Sequence, residues 1–152
     1  MTEDLIFRHN DVVSKEDTVV DCGDISLYNG KPGKIFDIYK RLNGNFIIVR
    51  GNHDNQSTIN YFKKNNYEYN GKEKFIFHDV GYRFKHNKNI YYCTHYPFDI
   101  GERGKVFNIH GHIHNNESPL KYGTNVGVDS PEYYYGCPVS LDEVIKKLES
   151  KL

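Results

Sequence analysis

No run of apolar residues in this sequence approaches the ~20 positions that a membrane-crossing helix needs. The N-terminus, Met1-Thr2-Glu3-Asp4, is acidic where an export signal begins basic and then turns apolar. These two absences predict a cytoplasmic protein with no membrane partner. Cysteine is scarce: Cys22, Cys93 and Cys137 are odd in number, widely spaced, and form no Cys-x-x-Cys pair. That excludes a disulfide framework, a zinc knuckle and a dithiol redox motif, and it reads as free thiols in a reducing compartment. A surplus of either charge is also missing, since Lys plus Arg and Asp plus Glu number 20 each. Without the electrostatic footprint of a polynucleotide binder, tight binding to DNA or RNA is not expected. Local recognition of a small phosphorylated substrate, such as a nucleotide, remains open.

What is present suits one domain spanning residues 1–152, with 38% apolar residues and enough length to bury roughly 68–70% of the unfolded surface. Short apolar strands alternate with amphipathic stretches, the pattern of an α/β domain. The pattern predicts a first helix capped by Thr2, with Leu5, Ile6, His9, Val12 and Val13 on one buried face. A strand from Thr18 to Asp21 ends in Cys22-Gly23-Asp24. A helix from about Lys34 to Leu42 leads to the apolar strand Phe46-Ile47-Ile48-Val49, which ends in Gly51-Asn52-His53-Asp54. After a helix from Ser57 to Lys64, residues 74–92 read as antiparallel strands turning at His86-Asn87-Lys88-Asn89 and delivering Thr94-His95-Tyr96-Pro97. The strand Val106 to Ile109 runs into His110-Gly111-His112-Ile113-His114. A last helix begins at Ser140, with Glu143 completing a capping box.

Four separate strand ends thus carry polar tips, and in open α/β sheets ligands bind at the carboxyl ends of strands. Asp24, Asn52, His95, His112 and His114 offer carboxylate, amide oxygen and imidazole nitrogen, a donor set that suits Zn, Mn, Fe or Ni. A carboxylate such as Asp24 can bridge two cations ~3.5–4 Å apart. Such a pair clamps a phosphate and lowers the pKa of the water between the ions, whose hydroxide attacks phosphorus in line. His53 stands next to Asn52 and is placed to protonate the leaving oxygen, with Asp54 fixing its tautomer.

Each piece has a blander reading. Asp24 after Gly23 and His95 before Tyr96-Pro97 are ordinary turn residues when taken alone, and Asn52 or Asp54 could cap the helix that follows. His78 and His86 read as surface residues, His9 as packed, and His110 equally as a ligand or as a hydrogen-bonded supporter of one. Tyr133-Tyr134-Tyr135 reads as packing or a partner surface before a substrate pocket. Coincidence explains the pieces together poorly. A given tetrapeptide arises in a chain of this length roughly once in a thousand sequences, and two of them stand here with the Gly-Asp and His at other strand ends.

Together, Cys22-Gly23-Asp24, Gly51-Asn52-His53-Asp54, Thr94-His95-Tyr96-Pro97 and Gly111-His112-Ile113-His114 resemble the calcineurin-like metallophosphoesterase superfamily, most of all its small single-domain bacterial and phage members. The likeness continues through Asn125-Val126-Gly127-Val128-Asp129 to Pro138-Val139-Ser140-Leu141. It implies a sandwich of two mixed β-sheets flanked by helices, with two metals at the sheet ends. By the same resemblance Asp24 would bridge the ions, Asn52, His95 and His112 would hold the second, His114 would belong to the first, and His53 would assist the leaving group.

The Asp-x-His that opens such sequences occurs nowhere here, so the chain reads as beginning after the first strand. The first ion then keeps only Asp24 and His114, fewer than the three protein ligands usual for catalytic zinc, and one well-occupied ion beside an incomplete position is expected. If metal analysis gave two tightly held ions instead, His9 and Asp11 would be the first places to look for substitute ligands. A missing strand would leave an exposed sheet edge, which invites a homodimer. Two functions follow. One is a hydrolase of phosphomonoesters or phosphodiesters. The other is a catalytically impaired metal-binding or scaffold protein with the same fold.

Overall fold

The computed structural model describes residues 2–25, 30–101, 104–133 and 136–152. Helix α1 (Thr2–Val12) carries Glu3 and Asp4 in its first turn, where the amide ends of the helix favour negative charge. Ile6 and His9 are its buried residues, with Val13 buried just past its end, whereas Leu5 and Val12 remain 44% and 53% exposed. The expected five-residue face is therefore narrower than its periodicity implies. The helix meets its neighbours along one side of that arc, and Leu5 and Val12 fall on the margin left in water. His9 is packed: its ring stacks 5.6 Å from Phe46 and its Nε2 donates to Asn43 O at 2.9 Å. Burial pushes its pKa down, and it supplies no substitute ligand.

Strands β1 (Thr18–Asp21) and β2 (Asn45–Val49) pair in parallel, with Thr18 opposite Asn45. The next two helices are α2 (Pro32–Lys40) and α3 (Gln56–Lys64). The α3 cap is Asn55, whose side chain accepts from Thr58 N, and not Asn52 or Asp54. A short hairpin, β3 (Glu68–Tyr69) with β4 (Lys72–Glu73), precedes β5 (Phe75–His78), which pairs in parallel with the other side of β2. As the central strand, β2 is buried on both faces and reads as a continuous apolar run. Phe36 of α2 and Phe62 of α3 pack edge to face at 5.1 Å over Phe46, Ile48 and Phe75.

The second sheet has the order β6 (Gly81–His86), β7 (Asn89–Thr94), β8 (Val106–His110), β9 (Gly123–Asn125) and is mixed. Here β6 and β7 form an antiparallel hairpin, while β7, β8 and β9 run parallel. The hairpin turns on Asn87 and Lys88, both with positive φ, as a tight two-residue turn requires. The expected antiparallel run over 74–92 is thus corrected: β5 belongs to the first sheet, and the chain crosses between sheets at Asp79-Val80. Alternation along a strand marks its faces but not its neighbours, so the sequence held no sign of the crossing. Helix α4 (Leu141–Ser150) starts at Ser140, whose Oγ accepts from Glu143 N at 3.3 Å. It buries Val144 and Leu148 in a cluster with Cys22, Tyr91, Cys93, Phe107 and Ile109, which ties β1 to the second sheet. Alternating positions of β1 serve both cores, Val19 the first and Val20 the second. No described helix is long and apolar enough to cross a membrane.

Lys74 is fully buried just ahead of β5. Its Nζ donates to Leu42 O and Gly44 O, both at 2.6 Å, and lies 3.8 Å from the centre of the Tyr69 ring. Burial lowers its pKa to about 8. Between that value and its ordinary value of 10.5 the unfolded chain holds a proton that the folded chain has released, so this group makes stability rise with pH across the interval. Lys74→Met strands two buried carbonyls and is expected to cost about 2–4 kcal/mol in urea unfolding at pH 7. The gap between the two proteins should widen from pH 8 to 9.5, and a gap that narrows would contradict the burial of an ammonium here.

Candidate metal centre

Two glycines bring the ends of β1 and β2 into contact. A Cβ on Gly23, whose φ is +103°, would stand 2.7 Å from Gly51 N and 2.8 Å from His95 Nδ1. A Cβ on Gly51 would overlap the amide nitrogen and Oδ1 of Asp24. Only bare backbone lets the two turns approach so closely. The turn after β1 is shaped by Asp21, whose Oδ1 accepts from Gly23 N at 3.0 Å while Oδ2 accepts from Tyr39 Oη at 2.9 Å. Burial raises the Asp21 carboxyl to about 6, against the pull of those two donors. Asp54 binds the turns together: its Oδ2 accepts from Gly51 N at 2.8 Å and Asp24 N at 2.9 Å. It is 3% exposed, so these bonds are sheltered from water.

Asp24, Asn52, His95 and His112 converge above this join. His95 Nε2 lies 2.7 Å from Asn52 Oδ1, 3.0 Å from His112 Nδ1 and 3.4 Å from Asp24 Oδ2, and His112 Nδ1 is 3.0 Å from Asn52 Oδ1. The ligand atoms of Asp24, His95 and His112 lie within 4.8 Å of one another. The other nitrogen of His95, Nδ1, is 2.8 Å from Cys22 O, and a carbonyl only accepts. The neutral His95 ring therefore carries its proton on Nδ1 and turns a lone pair into the group. Three acceptors, Asp24 Oδ2, Asn52 Oδ1 and His95 Nε2, then face one another and His112 Nδ1, whose single proton can serve only one of them, an arrangement that a cation would resolve. Burial, followed by the His95 ring, lowers the pKa of His112 and keeps it in the neutral form that ligates. One carboxylate oxygen, one amide oxygen and two imidazoles suit a first-row divalent transition metal.

The other expected residues stand around this group. His53 is exposed, and its backbone N donates 2.9 Å to Asp24 Oδ1. His114 does not join the four: its side chain is 68% exposed and its Nδ1 is 3.4 Å from Asp129 Oδ2. His110 is fully buried and supports the loop, with Nδ1 donating to Gly111 O at 3.0 Å and Nε2 facing Ser118 Oγ at 2.7 Å. Tyr133 packs, its hydroxyl 2.7 Å from Thr124 Oγ1; Tyr134 and Tyr135 lie outside the described residues.

The loop that carries both histidines hangs on residues whose pattern in the sequence gave them no role in the site. Asn125 Nδ2 donates 2.9 Å to His114 O and to Asn116 O. Glu132 Oε2 accepts from Ser118 N and Asn125 N, each at 2.9 Å, and Oε1 pairs with Lys151 Nζ at 2.7 Å. Burial alone would raise the Glu132 carboxyl, but Lys151 and the two amides outweigh it and hold it below the usual range. Nor did the pattern give Tyr96 a role, although its ring lies 4.5 Å from that of His112. The signals available were slight: Asp21 two residues before a glycine is an Asx-turn pattern, and Tyr96 adjoins a ligand candidate.

The model of the calcineurin-like phosphoesterase family matches residues 3–146. An uncharacterized protein of Methanocaldococcus jannaschii is 32% identical over 159 residues, covering 98% of this chain and 76% of the relative. Among solved structures, a protein of unknown function from Aquifex aeolicus superposes with a TM-score of 0.68 at 23% identity, over 95% of this chain and 83% of its own. A structure described as a novel archaeal phosphodiesterase matches at a TM-score of 0.47 and 22% identity, over 83% and 74%.

Because a methyl on Gly51 collides with Asp24, Gly51→Ala is expected to weaken manganese or zinc binding roughly 10–100-fold while far-UV circular dichroism stays native. Unchanged affinity in calorimetry would show that Asp24 does not contribute to the site.

Proposed function

This chain belongs to the calcineurin-like phosphoesterase family, and on that footing we propose that it is a metal-dependent phosphoesterase acting on a small phosphomonoester or phosphodiester, with nucleotides in range. The observation that carries this reading is the convergence of the metal-capable atoms of Asp24, Asn52, His95 and His112 within hydrogen-bonding distance of His95 Nε2 or close to it. A divalent ion held by these four would supply Lewis acidity toward phosphoryl oxygens and acidify a water.

The remaining work falls to the protein. His95 is locked in one tautomer by Cys22 O, so its coordinating nitrogen needs no reorganisation before binding. His53, tethered through its amide to Asp24 Oδ1, keeps its imidazole in solvent beside the centre, where it can deliver a proton to the departing oxygen. Asp54 acts on that step through the backbone, since its bonds to Gly51 N and Asp24 N set the loop that carries His53. His114, with Nδ1 turned to Asp129, keeps Nε2 for the incomplete first position. That separation of His114 from the other four also supports the second reading, a protein that retains one ion without turnover.

Metal analysis of the dialysed protein should give about one tightly held ion per chain, and two would overturn the incomplete first position. Model phosphomonoesters and phosphodiesters should be hydrolysed with added manganese, nickel or zinc. His53→Ala should lower kcat by roughly 10²–10⁴-fold with bound metal unchanged. Metal-loaded protein inert toward both substrate types would leave the scaffold reading standing.

A further inference from the structure

An aromatic ring stands open at the rim of the metal centre. Tyr96 directly follows His95; its ring centroid is 4.5 Å from that of His112, tilted by 60°, and 5.1 Å from that of His95, at 76°. Its backbone is fixed, because Thr94 Oγ1 donates to Tyr96 O at 2.6 Å and the rigid Pro97 follows. Yet 52% of the residue remains exposed. A tyrosine held for packing would hide its ring, whereas this one leans on the ligating imidazoles and leaves much of its surface to water. An open aromatic ring beside a metal-capable cluster suits a substrate with an apolar part attached to its phosphate.

We propose that Tyr96 is a stacking platform that selects phosphoesters whose leaving group carries a planar aromatic ring close to the phosphate. This assignment rests on the phosphoesterase reading above. A phosphoryl group held among Asn52, His95 and His112 would lie next to the Tyr96 ring, which touches both imidazoles, so a ring one or two bonds from phosphorus would have the open part of Tyr96 within reach. A saturated ring of equal size gains the same apolar burial but not the face-to-face or edge contact of two π systems. The specificity therefore lies in planarity, not bulk.

The test measures binding of non-hydrolysable phosphonates to the manganese-loaded protein by calorimetry. Benzylphosphonate should bind roughly three- to tenfold tighter than cyclohexylmethylphosphonate. Tyr96→Leu should bring that ratio within about twofold, and Tyr96→Phe should keep it. Taking the ratio within one protein cancels any change in metal occupancy. An acyclic adenine phosphonate measured against the same chain without the base tells a nucleobase from a simple aryl group as the preferred ring. A ratio near one for both pairs in the unmodified protein, or one that survives Tyr96→Leu, overturns the platform. Failure of every phosphonate to bind overturns it together with the phosphoesterase reading. An intact ratio in a protein that hydrolyses none of the model esters sinks the phosphoesterase reading alone.

Discussion

The centre depends on the contact between two bare stretches of backbone. Gly23 and Gly51 end neighbouring parallel strands, and no side chain fits between them or between Gly51 and Asp24. Parallel pairing of β1 with β2 aims both turns the same way, and the missing Cβ atoms let them close. Everything polar at the site is referenced to that join: Asp54 bridges it from below, Asp24 and Asn52 rise from its two sides, and His95 reaches it through Cys22 O from the second sheet.

A second constraint acts on the opposite side. The loop bearing His112 and His114 leaves β8 and returns to β9 without a helix to stiffen it, so its shape comes from buried side chains. Asn125 holds its carbonyls, Glu132 its amides, and His110 and Ser118 fill the space beneath. Glu132 and Lys151 form a sheltered ion pair whose remaining valences are met by Thr124, Asn125, Ser118 and Gly123 O. Such a pair is tolerable because the carboxylate accepts from Ser118 N, Asn125 N and Thr124 Oγ1 as well as from Lys151, and the ammonium also donates to Gly123 O. Its tie to α4 through Lys151 couples the end of the chain to the histidine loop.

The parts legible in the sequence were those with local signatures. Strand ends marked by glycine and a polar residue, the Ser140 cap, and the spacing of His112 from the strand before it follow from patterns a few residues long. What escaped was long-range. Lys74 meets carbonyls some thirty positions away, Glu132 is understood only with Ser118 and Lys151, and β5 looked like its neighbours until pairing put it in the other sheet. Leu5 and Val12 misled for a related reason, since a helix wheel shows which face is apolar but not how much of it a neighbour covers. Asp24, Asn52, His95, His112 and His114 were grouped by chemistry and by resemblance; the first four meet in space, and His114 stands apart beside Asp129.

Asp24, His112 and His114 all adopt the left-handed backbone region, with φ of 63°, 68° and 52°. Side chains other than glycine or asparagine hold that shape at a cost of order 1 kcal/mol each. An ion bound there would have to offset that strain as well as order its ligands, so its binding would be coupled to the shape of the loops after β1 and β8.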